Sequence, residues 1–367
     1  MEAVQNWRAA YYSFVQSSLS NRWFMGNHQN VIAATCLENP QLCSLTVSDC
    51  ENGPQNLECL MKSFQHESLR AWFHLHPIRD AEESWVAVEI GGQMGNQMFM
   101  LASSYGIAQT RKAKWCVSNL ASSKYIKDFI WLTKPLPCPG WSWKIFNITG
   151  DSTFFVISTT FTAANEGVGF ARYTESILTS PESNIFVGLF LQSHKYFSAS
   201  GLPFMLRPHL SASEWVKANR VSAGIHVRRG DKATDTGNVV TPLKYFFMAV
   251  RKMREIHGSD LSFVVCTDDK EWVQQQAPFK GMLVLSSPSP AFDMSVLAAC
   301  KHRIMSIGTY GWWGTYLGDS PTSTNIYPVL QFTVPLIRGF SHSDYFPSHW
   351  IPIDYELDGD EYNMSLT

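Results

Sequence analysis

Two adjacent arginines close an apolar run in Gly224-Ile-His-Val-Arg-Arg-Gly-Asp-Lys232. Val221 to Val227 reads as a buried strand, and Arg228 and Arg229 stand where it ends. A guanidinium group presents a rigid fork of donors matched to phosphate oxygens and does not shed its charge. Ligands of open α/β sheets sit just beyond strand carboxyl ends, so this position calls for an anion. The bland reading is a solvated surface pair beside Asp231. Three more strand ends extend the pattern. Leu261 to Thr267 ends in Asp268-Asp269, Met282 to Leu285 in Ser286-Ser287, and Arg303 to Ile307 in Gly308-Thr309-Tyr310-Gly311. Cations, carboxylates and hydroxyls on one rim suit a nucleoside diphosphate. Arginine would meet the diphosphate, a carboxylate would accept from the N1–H and N2 amino group of guanine, and hydroxyls or backbone N–H groups would hold further phosphate oxygens. For Asp268 and Asp269 the competing role is capping the next helix.

A second candidate is Gly91-Gly92-Gln-Met-Gly95-Asn96-Gln97, after the short strand Trp85 to Ile90. Its spacing is not that of the dinucleotide fingerprint. Bare backbone N–H groups ahead of a helix, with two amide side chains, suit phosphate or sugar hydroxyls; a tight turn without ligand is the alternative. Two motifs are set aside: Arg229-Gly230-Asp231 spells an adhesion tripeptide by accident of its strand edge, and Asp358-Gly359-Asp360 lies in a polar tail rather than in a metal-chelating site. No paired-histidine metal motif and no Gly-x-Ser-x-Gly nucleophile elbow is present, so hydrolase readings lack a nucleophile.

The elements that must position these residues follow from periodicity. After the glycine turn, Met98, Leu101, Ala102, Tyr105 and Ala108 are spaced for one helical face. Residues 112–210 alternate short strands with Pro-, Gly- and Ser-rich loops in no readable order. From Val221 strands and helices alternate regularly. Thr241 is expected to cap, and Pro242 to open, a helix with Leu243, Phe246, Phe247 and Val250 on one face. Asp293 to Lys301 reads as helical, and Asn325 to Val329 as a strand closing the sheet. Strands alternating with helices predict a parallel, doubly wound α/β fold. The expected division is an irregular Cys-rich extension at 1–83, an α/β domain at 84–210, a Rossmann-like domain at 211–335 and a tail at 336–367.

The chain has 367 residues, a size for two domains. It is 45% hydrophobic and 16% charged, which gives a large core and argues against disorder. A net charge of −2 excludes a nucleic-acid binder held by a broad basic surface. Thirteen tryptophans suit sugar rings as well as a core. Of eight cysteines, Cys36, Cys43, Cys50 and Cys59 lack the close pairing of zinc sites and fit local disulfides in an oxidising compartment. Sequons at Asn147 and Asn363 agree with a secretory route. No run approaches the ~20 apolar residues of a membrane span, and residues 1–30 lack the apolar core of a signal peptide.

Taken in order, Gly92-Gln-Met-Gly-Asn-Gln97, Gln192-Ser-His-Lys-Tyr-Phe197, Gly224-Ile-His-Val-Arg-Arg-Gly-Asp231, Phe263-Val-Val-Cys-Thr-Asp-Asp269 and Ile304-Met-Ser-Ile-Gly-Thr-Tyr-Gly311 resemble the motifs of the galactoside α-1,2-fucosyltransferases, glycosyltransferase family eleven. The resemblance covers roughly residues 84–330. Its His-x-Arg-Arg-x-Asp core is shared with α-1,6-fucosyltransferases, so it marks GDP-fucose users more firmly than a linkage. The resemblance implies two Rossmann-like domains facing a cleft (the GT-B type), GDP-fucose as donor, a galactose-terminated glycan as acceptor, no cofactor, no metal, and inversion at the fucose anomeric carbon. It implies that Arg228 holds the diphosphate with Arg229 in support, that His226 and Asp268 lie near the guanosine, that Thr309 cradles phosphate, and that Gly95, Asn96 and Gln97 face the cleft. Asp231 and Glu89 are the candidate bases for the acceptor hydroxyl; Asp269 and Ser286 complete the expected donor rim. Animal members usually begin with a membrane anchor, so a Golgi enzyme of the secretory pathway is expected, although these residues show no such segment. Leu101, His194 and Lys232 depart from the family pattern and bear on acceptor choice. The alternatives are a GDP-fucose transferase of α-1,6 or protein O-linkage and an inactive glycan- or nucleotide-binding relative.

Overall fold

The structure is a computed structural model describing residues 84–118, 120–138, 154–157, 170–179, 184–187, 191–230, 239–331 and 339–356. The four N-terminal cysteines, both sequons, Asp231, Lys232 and Asp358 to Asp360 lie outside the described residues. The chain divides into two compact units, residues 1–84 with 138–155 and residues 85–137 with 156–367. The described elements fall almost wholly in the second unit.

Two sheets carry the α/β fold. The first contains β1 (Trp85–Val88), β2 (Lys114–Val117), β4 (Phe154–Ile157) and β5 (Asn184–Val187) in the order β2-β1-β5-β4, with β1 parallel to both its neighbours. A small antiparallel pair joins β3 (Phe129–Trp131) to β6 (Phe204–Leu206). The second sheet has six strands: β7 (Ala223–Val227), β8 (Phe263–Thr267), β9 (Leu283–Leu285), β10 (His302–Ile304), β11 (Asn325–Pro328) and β12 (Ile351–Ile353). Their order is β12-β11-β10-β7-β8-β9, and the pairs are parallel.

That order has a direct consequence. From β7 the chain first adds β8 and β9 on one side, then returns to add β10, β11 and β12 on the other. The crevice beyond the carboxyl ends of β7 and β10 is therefore a topological switch point, where open α/β sheets hold ligands. All five residues of β7 and all five of β8 are buried, as expected of strands covered on both faces.

Helices cover both faces. On one, α3 (Leu243–His257) buries Tyr245, Phe246, Ala249, Val250 and Met253 against β7 and β8. On the other lie α2 (His209–Ala218) and α5 (Pro290–Ala299). A short α4 (Lys270–Gln275) follows β8. Two helices join the sheets: α1 (Met94–Arg111) after β1, and α6 (Thr309–Tyr316) after β10. Phe99 of α1 packs 4.4 Å from Trp312 and 5.1 Å from Trp313 by ring centroids. Burial of α1 is broader than the single predicted face, because Met94, Phe99 and Met100 meet neighbours as Met98, Leu101 and Ala102 do.

Two expectations are corrected. Helix α3 is capped at Pro242 without a side-chain bond; the buried Thr241 hydroxyl instead accepts from the Ile307 N–H at 3.3 Å, tying the segment before α3 to the loop after β10. The segment placed in the tail supplies β12, so β11 does not close the sheet. Pro352 hid it from the pattern, but proline is tolerated in an edge strand, where one side needs no ladder donor.

Candidate active site

His226 lies on β7 and is 4% exposed. Ser306, just beyond β10, organises it. The Ser306 Oγ accepts from the Arg228 N–H at 2.9 Å and stands 3.0 Å from His226 Nδ1, while the Ser306 N–H donates to the His226 carbonyl at 3.1 Å. The direction of the Ser306–His226 bond follows the ring's tautomer: with the Ser306 hydroxyl donating to Nδ1, the neutral ring carries its proton on Nε2. Burial, helped by the charge of Arg228, pushes the His226 pKa down to about 3. The ring is thus neutral throughout the physiological range. Helix α6 presses on it: a Cβ on Gly311 would stand 2.2 Å from Nδ1, and the Tyr310 ring lies 5.4 Å away. Only glycine fits at 311.

The arginine pair divides. Arg228 ion-pairs through Nη1 with Asp268 Oδ2, with about a third of its side chain exposed. The other oxygen of Asp268 accepts the Arg229 backbone N–H at 2.9 Å. One carboxylate therefore holds the turn and aims Arg228. Gly230 permits this, since a Cβ there would meet Asp268 Oδ2 at 2.5 Å. Arg229 turns away: its guanidinium sits 3.9 Å over the Trp272 ring and its Nε lies 3.7 Å from Asp269 Oδ2. Asp269 caps α4 by accepting the Trp272 N–H at 3.1 Å, so the predicted capping role belongs to Asp269 and not to Asp268. Ser286 is exposed at the end of β9.

One residue on this rim escaped the sequence reading. Asp293, in the first turn of α5, is 7% exposed. Its Oδ2 accepts the Ser287 N–H at 3.0 Å, whereas its Oδ1 is buried without a hydrogen-bond partner among the described residues. Desolvation raises its pKa, opposed by the bonds from Ser287. Tyr310 bridges to the same turn, donating its hydroxyl to the Pro290 carbonyl. A first-turn acid passes for a partner of the helix dipole; the signal that could have marked it is one carboxylate in the largely apolar Ala291-Phe-Asp-Met-Ser-Val-Leu-Ala-Ala299.

The glycine turn after β1 meets this rim. Gly92 takes φ +73, and a Cβ on Gly95 would stand 2.7 Å from the Thr309 carbonyl carbon. Asn96 Oδ1 accepts from the Thr309 hydroxyl at 2.9 Å and from Gln192 Nε2 at 3.2 Å. Trp313 Nε1 donates to the Gly95 carbonyl at 2.9 Å. The first turns of α1 and α6 are in contact, and both carry N–H groups that favour an anion. Gln97 is a brace instead: its amide donates to the Gly92 carbonyl at 3.0 Å and accepts from Ser123 Oγ at 2.6 Å.

The structure thus brings His226, Arg228, Asp268, Ser306 and Thr309 together with Gly95 and Asn96, and adds Asp293. Among the described residues no group of three or more His, Cys, Asp or Glu side chains is placed to hold a metal ion, and no helix is long and apolar enough to cross a membrane. Cys116 and Cys138 are disulfide-bonded, while Cys266 and Cys300 are free and buried.

Residues 209–353 match the model described as Glycosyl transferase family 11. Galactoside alpha-(1,2)-fucosyltransferase 1 of Saimiri sciureus is 31% identical over 150 residues, 38% of this chain and 40% of that protein. Galactoside alpha-(1,2)-fucosyltransferase 2 of Sus scrofa is 30% identical over 175 residues, 42% and 50% respectively. The chain spans half or less of the length of these relatives. Among solved structures, NodZ alpha-1,6-fucosyltransferase soaked with GDP-fucose aligns at TM-score 0.41 and 13% identity, over 64% of this chain and 93% of that one. An Arabidopsis thaliana FUT1 variant in complex with GDP aligns at 0.44 and 12%, over 71% and 76%.

Proposed function

Residues 209–353 carry a glycosyl transferase family 11 domain, and we propose that the chain transfers L-fucose from GDP-fucose to the 2-hydroxyl of a terminal galactose. One observation carries this reading. At the switch point of the second sheet, a neutral buried histidine, a partly exposed arginine and a buried carboxylate oxygen without a partner share one rim. Guanine would accept at O6 from His226 Nε2–H and donate from N1–H and N2 to Asp293. A diphosphate would meet Arg228, drawing it from or sharing it with Asp268, an ion pair open enough to solvent to exchange partners.

The hard step is departure of GDP. As the C1–O bond to the β-phosphate lengthens, negative charge gathers on the phosphate and the sugar turns oxocarbenium-like. Arg228, pre-aimed by Asp268, stabilises that charge in a task other transferases give to a metal, and preorganised donors of this kind are usually the largest catalytic term. The first turns of α1 and α6, which meet at Gly95 and Thr309, add their N–H dipoles. Arg229 acts through position: stacked on Trp272, it fixes the turn that presents Arg228. The disulfide-bonded Cys116 and Cys138 support an oxidising, secretory compartment.

The test is incubation with GDP-fucose and a panel of galactose-terminated acceptors, with and without EDTA, reading GDP release and product linkage. The expected result is an α-1,2-linked fucose formed equally in both conditions. Transfer in another linkage would overturn the acceptor assignment, and GDP binding without turnover would leave an inactive relative.

A further inference from the structure

Glu89 is the first residue beyond the carboxyl end of β1, the strand paired with both β2 and β5. The Val88 carbonyl accepts the Ser118 N–H at 2.9 Å, so the ladder holds up to the preceding residue. Ile90 is buried, and the chain then turns through Gly91 and Gly92 into α1, whose Gly95 abuts Thr309. Glu89 thus stands on the edge of the first sheet that approaches the rim bearing Arg228. It is half-buried, and among the described residues nothing donates a hydrogen bond to its carboxylate and no cation pairs with it. Burial raises its pKa, and no donor opposes the shift. Withdrawing a carboxylate from water without a partner costs free energy, and such groups gather where chemistry needs them.

Resting on the fucosyl transfer proposed above, we propose that Glu89 is the catalytic base that deprotonates the acceptor hydroxyl. Its carboxylate takes the hydroxyl proton as the oxygen forms its bond to fucose C1. The C1–O bond to the β-phosphate breaks, and the leaving electron pair stays on GDP, next to Arg228. Base and leaving-group stabiliser come from the edges of different sheets, as attack from the face opposite the departing phosphate requires. A pKa raised by burial makes Glu89 a stronger base than an ordinary carboxylate.

The test compares wild type with Glu89→Gln and Glu89→Asp, measuring kcat and kcat/KM against pH, affinity for GDP, and thermal stability. Loss of a general base is worth roughly 10²–10⁴-fold. Glu89→Gln should lose kcat on that scale, bind GDP as wild type does, and lack the acid limb of the pH profile; Glu89→Asp should recover part of the rate. An amide variant within threefold of wild type and retaining that limb overturns the proposal. Should Glu89→Gln fail to fold, Glu89→Asp decides: a slower enzyme with a displaced acid limb supports the base, and an unchanged rate and limb overturns it. A wild-type chain that moves no fucose brings down the functional reading itself, whereas an active wild type with an indifferent amide variant sinks only the role of Glu89.

Discussion

The two sheet edges that meet at Gly95 and Thr309 are built on opposite plans. On the six-stranded side the polar groups hold one another: Asp268 aims Arg228, Ser306 bonds His226 Nδ1, and Asp269 and Trp272 seat Arg229. On the four-stranded side Gln97 is spent on bracing the turn, and Glu89 has no partner among the described residues. A rim organised before its ligand arrives suits a charged, invariant nucleotide. An edge with an uncommitted acid suits a neutral sugar whose hydroxyl must give up a proton.

Breaking the organised side should cost most. Arg228→Ala is expected to lower kcat by about 10²–10³, the scale of losing one preorganised donor, with little change in acceptor KM. Turnover near that of wild type, with Arg229 intact, would refute the donor assignment. The contact between the edges comes next. Gly95→Ala drives a methyl group against the Thr309 backbone, and overpacking of this kind costs typically about 1–3 kcal/mol. A lowered urea midpoint is expected together with reduced activity, and an unchanged midpoint would mean the two turns part easily.

The smallest effect separates the sides by pH. Burial first, and neighbouring positive charges second, push His226 down to about 3 and His302 to about 4. In an unfolded chain histidine titrates near ~6.5. Between those values the unfolded state takes up protons that the native state refuses, so stability is full above that range and falls as pH drops through it. His194 and His342 are shifted the same way. Glu89 and Asp293, raised by burial, work in the other direction. A melting temperature lower at pH 5.5 than at pH 7.5 is the expected outcome; a flat profile would show that these rings are hydrated in the native state.

Much of the six-stranded side was legible because its central strands β7 and β8 are fully buried, nearly continuous apolar runs that end abruptly in charge. The position of Arg228 follows from that alone. The separation of Arg229 from it did not, although successive side chains on extended backbone point to opposite sides. Asp293 stayed hidden because an acid in a first helical turn has an ordinary explanation. Thr241 looked like a cap because its hydroxyl precedes Pro242, and only the fold brings the Ile307 N–H to it. On the four-stranded side β5 joins β1 across almost a hundred residues of sequence. Short strands in polar loops carry no mark of such a partner.

The two free thiols have a practical consequence. Cys266 lies within β8 and Cys300 just past α5; both are sealed in, and burial pushes the Cys300 thiol up to about 12. Neither forms a thiolate while the sheet is intact, so neither reacts or scrambles with the disulfide-bonded Cys116 and Cys138. Alkylation of this pair would therefore act as a clock for opening of the six-stranded core, silent until the strands separate.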